Sequence, residues 1–148
     1  MRIYVPNDVT DKKALWRSIG LPANRGQDLI DVLQMGLPLD VLDNIHRNSD
    51  LSKADILRIA GINERNVARR KSAGRPLSSD ESERIARLVR VFDATIVFFN
   101  GDKEAAYHWL KHPVKGLGNV APISLIATES GALEILDLIG RLEHGVIS

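Results

Sequence analysis

The sequence predicts an all-α fold, on three observations. Apolar residues recur at three- and four-residue spacing along most of the chain, the period of one helix face. Gly, Pro and Asn-Gly punctuation falls between those stretches, where helices stop. No run alternates with period two for long enough to make a strand; residues 2–5 (RIYV) are the best candidate and are short. With 148 residues, 44% of them hydrophobic, the chain has the apolar material for a packed core and does not read as disordered.

The elements follow in order. A first helix covers residues 11–19, with Leu15 and Ile19 on one face, and Gly20-Leu21-Pro22 ends it. A second covers residues 25–35, with Leu29, Val32 and Leu33 on one side, and stops at Gly36. Pro38 starts a third that holds Val41, Leu42 and Ile45; Pro at a first helical position sacrifices no hydrogen bond, because that N–H has no intrahelical partner. Ser52 caps a fourth, with Asp55 near the capping-box position and Ile56, Leu57 and Ala60 as its apolar stripe; Gly61 breaks it. Asn63 caps a fifth, with Glu64 in its first turn favouring the helix dipole, and Gly74 stops it.

Residues 78–81 (SSDE) open the longest helix, over residues 80–99. Ile85, Leu88, Val89, Phe92, Ile96 and Phe99 share one face, which Val91, Ala94 and Phe98 widen. A helix apolar around most of its circumference is buried centrally or against another subunit. Residues 100–102 (NGD) form a turn, a helix follows over residues 103–111, and residues 113–122 are a loop. The last helix covers residues 128–142, with Leu133, Leu136 and Ile139 as its core stripe and Gly145 where a C-terminal glycine belongs.

Composition excludes several functions. There is no cysteine, hence no disulfide scaffold, thiolate nucleophile or Cys-ligated metal. The most apolar stretch, residues 91–99, carries Asp93 and falls far short of the ~18 residues of a membrane span. No signal-peptide core opens the chain, so a cytoplasmic location is expected. No Ser/His/Asp grouping, phosphate-binding Gly loop or paired carboxylates in an apolar run are recognisable; no catalytic residue and no cofactor are expected.

Charge is uneven. Residues 1–80 hold 13 Lys and Arg against 10 Asp and Glu, whereas residues 81–148 hold 7 against 9. Residues 65–75 contain Arg65, Arg69, Arg70, Lys71 and Arg75 and no acid. They fall in the second half of a helix–turn–helix pattern: residues 52–60, the turn Gly61-Ile62-Asn63, then residues 64–73, with Ile62 and Val67 packing the pair. Arg65, Asn66, Arg69 and Arg70 suit base edges in a major groove, and Lys71 and Arg75 suit phosphates. A merely solvated basic face is the competing interpretation. His108 and His112 share a helical face, but no third ligand is evident and no metal is expected. Trp109 between them is either core or an interface anchor. The tail from Arg141 to Ser148 is either a frayed end or a short apolar peptide with a terminal carboxylate for a partner's pocket.

Four stretches carry a resemblance: residues 77–84 (LSSDESER), 106–113 (AYHWLKHP), 118–125 (GNVAPISL), and the ending from Gly131-Ala132 through residues 139–146 (IGRLEHGV). With them the chain from about Arg75 to Ser148 resembles the C-terminal toxin-binding domain of Xre/MbcA/ParS-type antitoxins. Upstream, residues 53–74 resemble the Xre-type helix–turn–helix that precedes that domain. The resemblance implies a helix–turn–helix DNA-binding domain over residues 1–74, then a helical toxin-binding and dimerisation domain over residues 75–148. It implies a type II antitoxin whose partners are a toxin with a NAD-degrading RES domain and the operator DNA of its own promoter. Trp109, Arg141, Glu143, His144, Val146, Ile147 and Ser148 would face the toxin, and Val91, Ala94 and Phe98 would serve a homodimer. The alternative is a stand-alone helix–turn–helix repressor with a dimerising or ligand-sensing C-terminal domain.

Overall fold

The computed structural model describes residues 12–23 and 25–145. They fold as α1 (Ala14–Ser18), α2 (Gln27–Met35), α3 (Val41–Ser49), α4 (Lys53–Ala60), α5 (Glu64–Ala73), α6 (Ser79–Phe98), α7 (Lys103–Lys111) and α8 (Glu129–Glu143). Between α7 and α8 lie two short 3-10 turns, Lys115–Leu117 and Pro122–Ser124, and one antiparallel bridge joins Val114 to Val120. No strand occurs among the described residues, so the all-α class holds. The short strand candidate at residues 2–5 lies outside them.

α6 is the spine. It packs against α1, α2, α4, α7 and α8. More than half of its 20 residues are buried, and Ile85, Leu88, Val89 and Val91 are wholly enclosed. The widened apolar face is therefore accounted for by central burial within one chain. Val91 is covered by the chain's own helices and is not available to a second copy, which corrects its expected place at a dimer contact; Ala94 and Phe98 are half-buried. One apolar cluster runs from Leu15 to Ile139 through α6.

Polar side chains from α6 position the smaller elements. Asp93 is buried and accepts the N–H groups of Leu15 at 2.8 Å and Trp16 at 3.0 Å. Those are unpaired donors at the start of α1, whose own preceding residue, Lys13, provides no side-chain cap. Ser82 accepts the N–H of Leu37 at 2.9 Å, and Leu77 N–H donates to the Leu37 carbonyl at 2.9 Å. This seats the α2–α3 connection against the start of α6. Gly36 makes the approach possible: its φ is +95°, and a Cβ there would sit 2.0 Å from the Leu77 carbonyl oxygen.

Two details differ from the expectation. The third helix begins at Val41, and Pro38 instead opens the turn before it, its carbonyl accepting the Val41 N–H. On α8, Leu133 is not core but 54% exposed, while Ala132, Ile135, Leu138 and Ile139 point inward. The cause is Gly131, whose backbone lies so near Leu125 that a Cβ would fall 2.0 Å from that carbonyl oxygen. Placing Gly131 against the preceding turn fixes the roll of α8. Residues four and seven further on then share its face, and Leu133, two positions on, looks away.

Candidate functional site

The helix–turn–helix is built by its caps. Ser52 accepts the Asp55 N–H at 3.1 Å to start α4. Gly61 ends it in the left-handed conformation at φ +74°, with the Arg84 side chain donating to the Ala60 carbonyl behind the turn. Asn63 accepts the Asn66 N–H at 3.2 Å to start α5, and Gly74, φ +66°, ends it. Ile62 is buried and Val67 half-buried, so both lie at the junction between the two helices.

α5 has no buried residue at all. Arg65, Arg69, Lys71 and Arg75 are exposed, and Asn66 is half-exposed with its side-chain oxygen accepting from Arg69. These groups form a dense positive surface of the kind that neutralises phosphates. Arg70 departs from the expectation. Its guanidinium fork already holds Glu81 on α6, Nη1 to Oε1 at 2.5 Å and Nη2 to Oε2 at 3.0 Å, so it does not project with the others. Two parallel bonds to a sheltered carboxylate outweigh exposure for a planar donor. Burial pushes the Glu81 carboxyl up, but hydrogen bonds from Arg70 and Ser78 and the Arg70 charge outweigh it and hold it below the usual range.

A second polar node was not foreseen from the sequence. Asp55, on α4, is buried, and its carboxylate accepts from Tyr107 Oη at 3.0 Å and Lys111 Nζ at 2.9 Å, both on α7, as well as from Arg58. Burial would raise this carboxyl; the bonds from Lys111, Tyr107 and Ser52 and the Lys111 charge win and lower it. Asp55 therefore ties the helix–turn–helix to α7, where Trp109 sits.

The expected partner-facing residues do not converge on one spot. Trp109 is half-buried, its ring tilted against Phe99 at 6.3 Å, and together with Phe99, Ala105 and His108 it lines a shallow depression. It is thus part core and part surface. Glu143 lines a different groove, between α1, α6 and α8, with Trp16, Ala94, Val97 and Leu136 at its base. Arg141 is half-buried with its Nε lacking a hydrogen-bond partner, and His144 follows the end of α8 before Gly145 at φ +71°. Val146, Ile147 and Ser148 lie outside the described residues. His108 and His112 stack face to face at 3.9 Å, with His112 Nδ1 at the His108 carbonyl, rather than converging on a shared point.

Two known domain families match successive parts of the chain. Residues 28–90, which include all but the first residue of α2, then α3 to α5 and part of α6, match the Antitoxin Xre-like helix-turn-helix domain. Residues 93–145 match the Antitoxin Xre/MbcA/ParS C-terminal toxin-binding domain. The molecule is thus of the antitoxin class, a helix–turn–helix joined to a toxin-binding domain. The chain is 53% identical over all 148 residues, the full length of both proteins, to the Antitoxin Xre of Yersinia enterocolitica. It is 47% identical, again over the full length of both, to the Antitoxin Xre of Photorhabdus laumondii. The chain belongs to the Xre family of antitoxins. No helix among the described residues is long and apolar enough to cross a membrane.

Proposed function

We propose that this antitoxin binds a toxin carrying a RES domain, which degrades NAD, and represses its own operon in the cytoplasm. The observation that carries the DNA half is α5: a capped helix after a glycine turn, without a buried residue, presenting Arg65, Asn66, Arg69, Lys71 and Arg75. Arg65, Asn66 and Arg69 read base edges, while Lys71 and Arg75 hold phosphates. Two copies of the chain, joined through the C-terminal region, present two such helices to two half-sites.

The C-terminal segment covers the toxin's active site. A cleft that accepts an anionic dinucleotide is basic, and it attracts the Glu143 carboxylate and the Ser148 terminus while Val146 and Ile147 fill apolar space. Arg141 and His144, at the end of α8, extend that contact, and Trp109 on α7 adds a separate one.

The test is co-expression with the adjacent open reading frame. A stable complex, loss of toxicity, and NAD retained in the cells are expected, and deletion of residues 145–148 is expected to weaken protection while leaving operator binding intact. Full protection by the truncated chain overturns the plugging role. A neighbouring gene product that leaves NAD untouched overturns the RES assignment.

A further inference from the structure

The Arg70–Glu81 pair joins the least buried helix of the molecule to the most buried one. α5 otherwise has little to hold its orientation: the Asn63 cap, half-buried Val67 and the glycine turns at either end. Glu81 is in the opposite situation. It belongs to the capping box of α6, accepting the Ser78 N–H at 2.8 Å while Ser78 Oγ accepts the Glu81 N–H at 3.1 Å. Its carboxylate is therefore also tied to the spine through the Ser78 N–H, independently of Arg70. A fork-to-fork pair constrains both the direction and the roll of the arginine, because two parallel bonds define a plane. The side chains are 25% and 11% exposed, so water competes for the pair only in part. The Arg70 carbonyl also accepts the Arg75 N–H at 3.0 Å, which carries the constraint into the C-terminal end of α5.

We propose that Arg70 and Glu81 form a latch that sets the angle of α5 for operator reading, with Arg70 a positioning residue rather than a base or phosphate contact. The inference rests on α5 being the operator-contacting helix, and it specifies how that helix is held. It makes a counter-intuitive demand on charge. An acid close to a DNA-binding surface ordinarily repels phosphates, so its neutralisation ordinarily tightens binding. Under the latch, neutralising Glu81 weakens operator binding instead, because the base-edge contacts lose their common orientation.

Two variants test it in the full-length chain, each titrated at fixed salt against its own promoter DNA and against random duplex of equal length. Glu81→Gln keeps a residue able to serve in the capping box and removes the charge from the fork. Arg70→Lys keeps the charge, leaves Glu81 untouched and removes the planar donor. Both are expected to lose about tenfold in operator affinity, the scale of one bidentate base contact, while binding random duplex as well as or better than the wild type. Thermal melts confirm that each remains folded at the assay temperature. A purely structural defect lowers binding to both duplexes together, and that pattern overturns the latch. So does a Glu81→Gln chain that grips the operator as tightly as wild type or tighter, or an Arg70→Lys chain equal to wild type. A wild-type chain that does not prefer its promoter removes the operator reading itself, a failure recognisable before either variant is made.

Discussion

α5 and α6 are both helices with good caps, yet they are built on opposite principles. α6 gives its circumference to the core and touches five other helices. α5 has no fully buried residue, with Val67 and Arg70 half-buried, and carries four exposed basic side chains, counting through Lys71 and on to Arg75 just beyond its end. The difference teaches that helical propensity and capping decide where a helix forms, while burial decides whether its sequence is constrained by the fold or open to recognition. Residues in α6 report on stability, and residues in α5 report on binding. The Arg70–Glu81 pair is a polar link between the two helices.

Substitutions ranked by their expected cost sharpen that contrast. Phe92→Ala empties a fully buried site on α6 and is expected to cost about 3–5 kcal/mol in a denaturant titration, abolishing every binding activity with the fold. Gly36→Ala combines a left-handed backbone with a steric conflict at the Leu77 carbonyl, and about 2–4 kcal/mol is expected by the same assay. Asp55→Asn is expected to cost about 1–3 kcal/mol near neutral pH, less than a fully enclosed pair because Lys111 and Arg58 are part-exposed.

That last loss depends on pH with a definite sign. Asp55 and Glu81 both ionise below the usual carboxylate range when folded, so they bind fewer protons than in the unfolded chain. Their stabilisation is fully present above roughly pH 4–5 and disappears as pH falls through the ordinary carboxylate range toward their lowered values. Thermal melts across that window are expected to show a steeper acid decline for wild type than for Asp55→Asn. Parallel curves contradict the role of this carboxylate. At the bottom of the scale, Arg69→Ala is expected to change stability by less than about 0.5 kcal/mol. A cost comparable to that of Phe92→Ala breaks the comparison.

Much of this architecture was legible along the chain, because its local signals are strong. Ser52 and Asn63 cap the helices that their types and positions indicate, and Gly61 makes the left-handed turn between them. The apolar periodicity of α6 announced a buried helix, although it did not say whether one chain or two would bury it. The polar links were not legible. Asp93 meets Leu15 across 78 positions, and Asp55 meets Lys111 across 56; nothing in local composition pairs a carboxylate with a distant amine or amide. Arg70 looked like its neighbours on α5 because its partner, Glu81, lies beyond the Gly74–Pro76 break. On α8, Ile139 and Leu136 do face the core and Leu133 does not, because periodicity gives the spacing of a face and not its direction, which here depends on the close seat of Gly131. For the candidate site, residue types on α5 were informative; the C-terminal contacts came from family resemblance.

The most direct measurement is promoter binding by an Arg65→Ala/Arg69→Ala chain alongside its melting temperature and its capacity to hold the co-expressed toxin. The expected result is a melting temperature within a degree or two of wild type, retained toxin, and at least tenfold loss of promoter affinity at fixed salt, since both side chains are exposed and are proposed to read bases. Undiminished promoter affinity in that folded double variant contradicts the assignment of α5 as the surface that meets DNA.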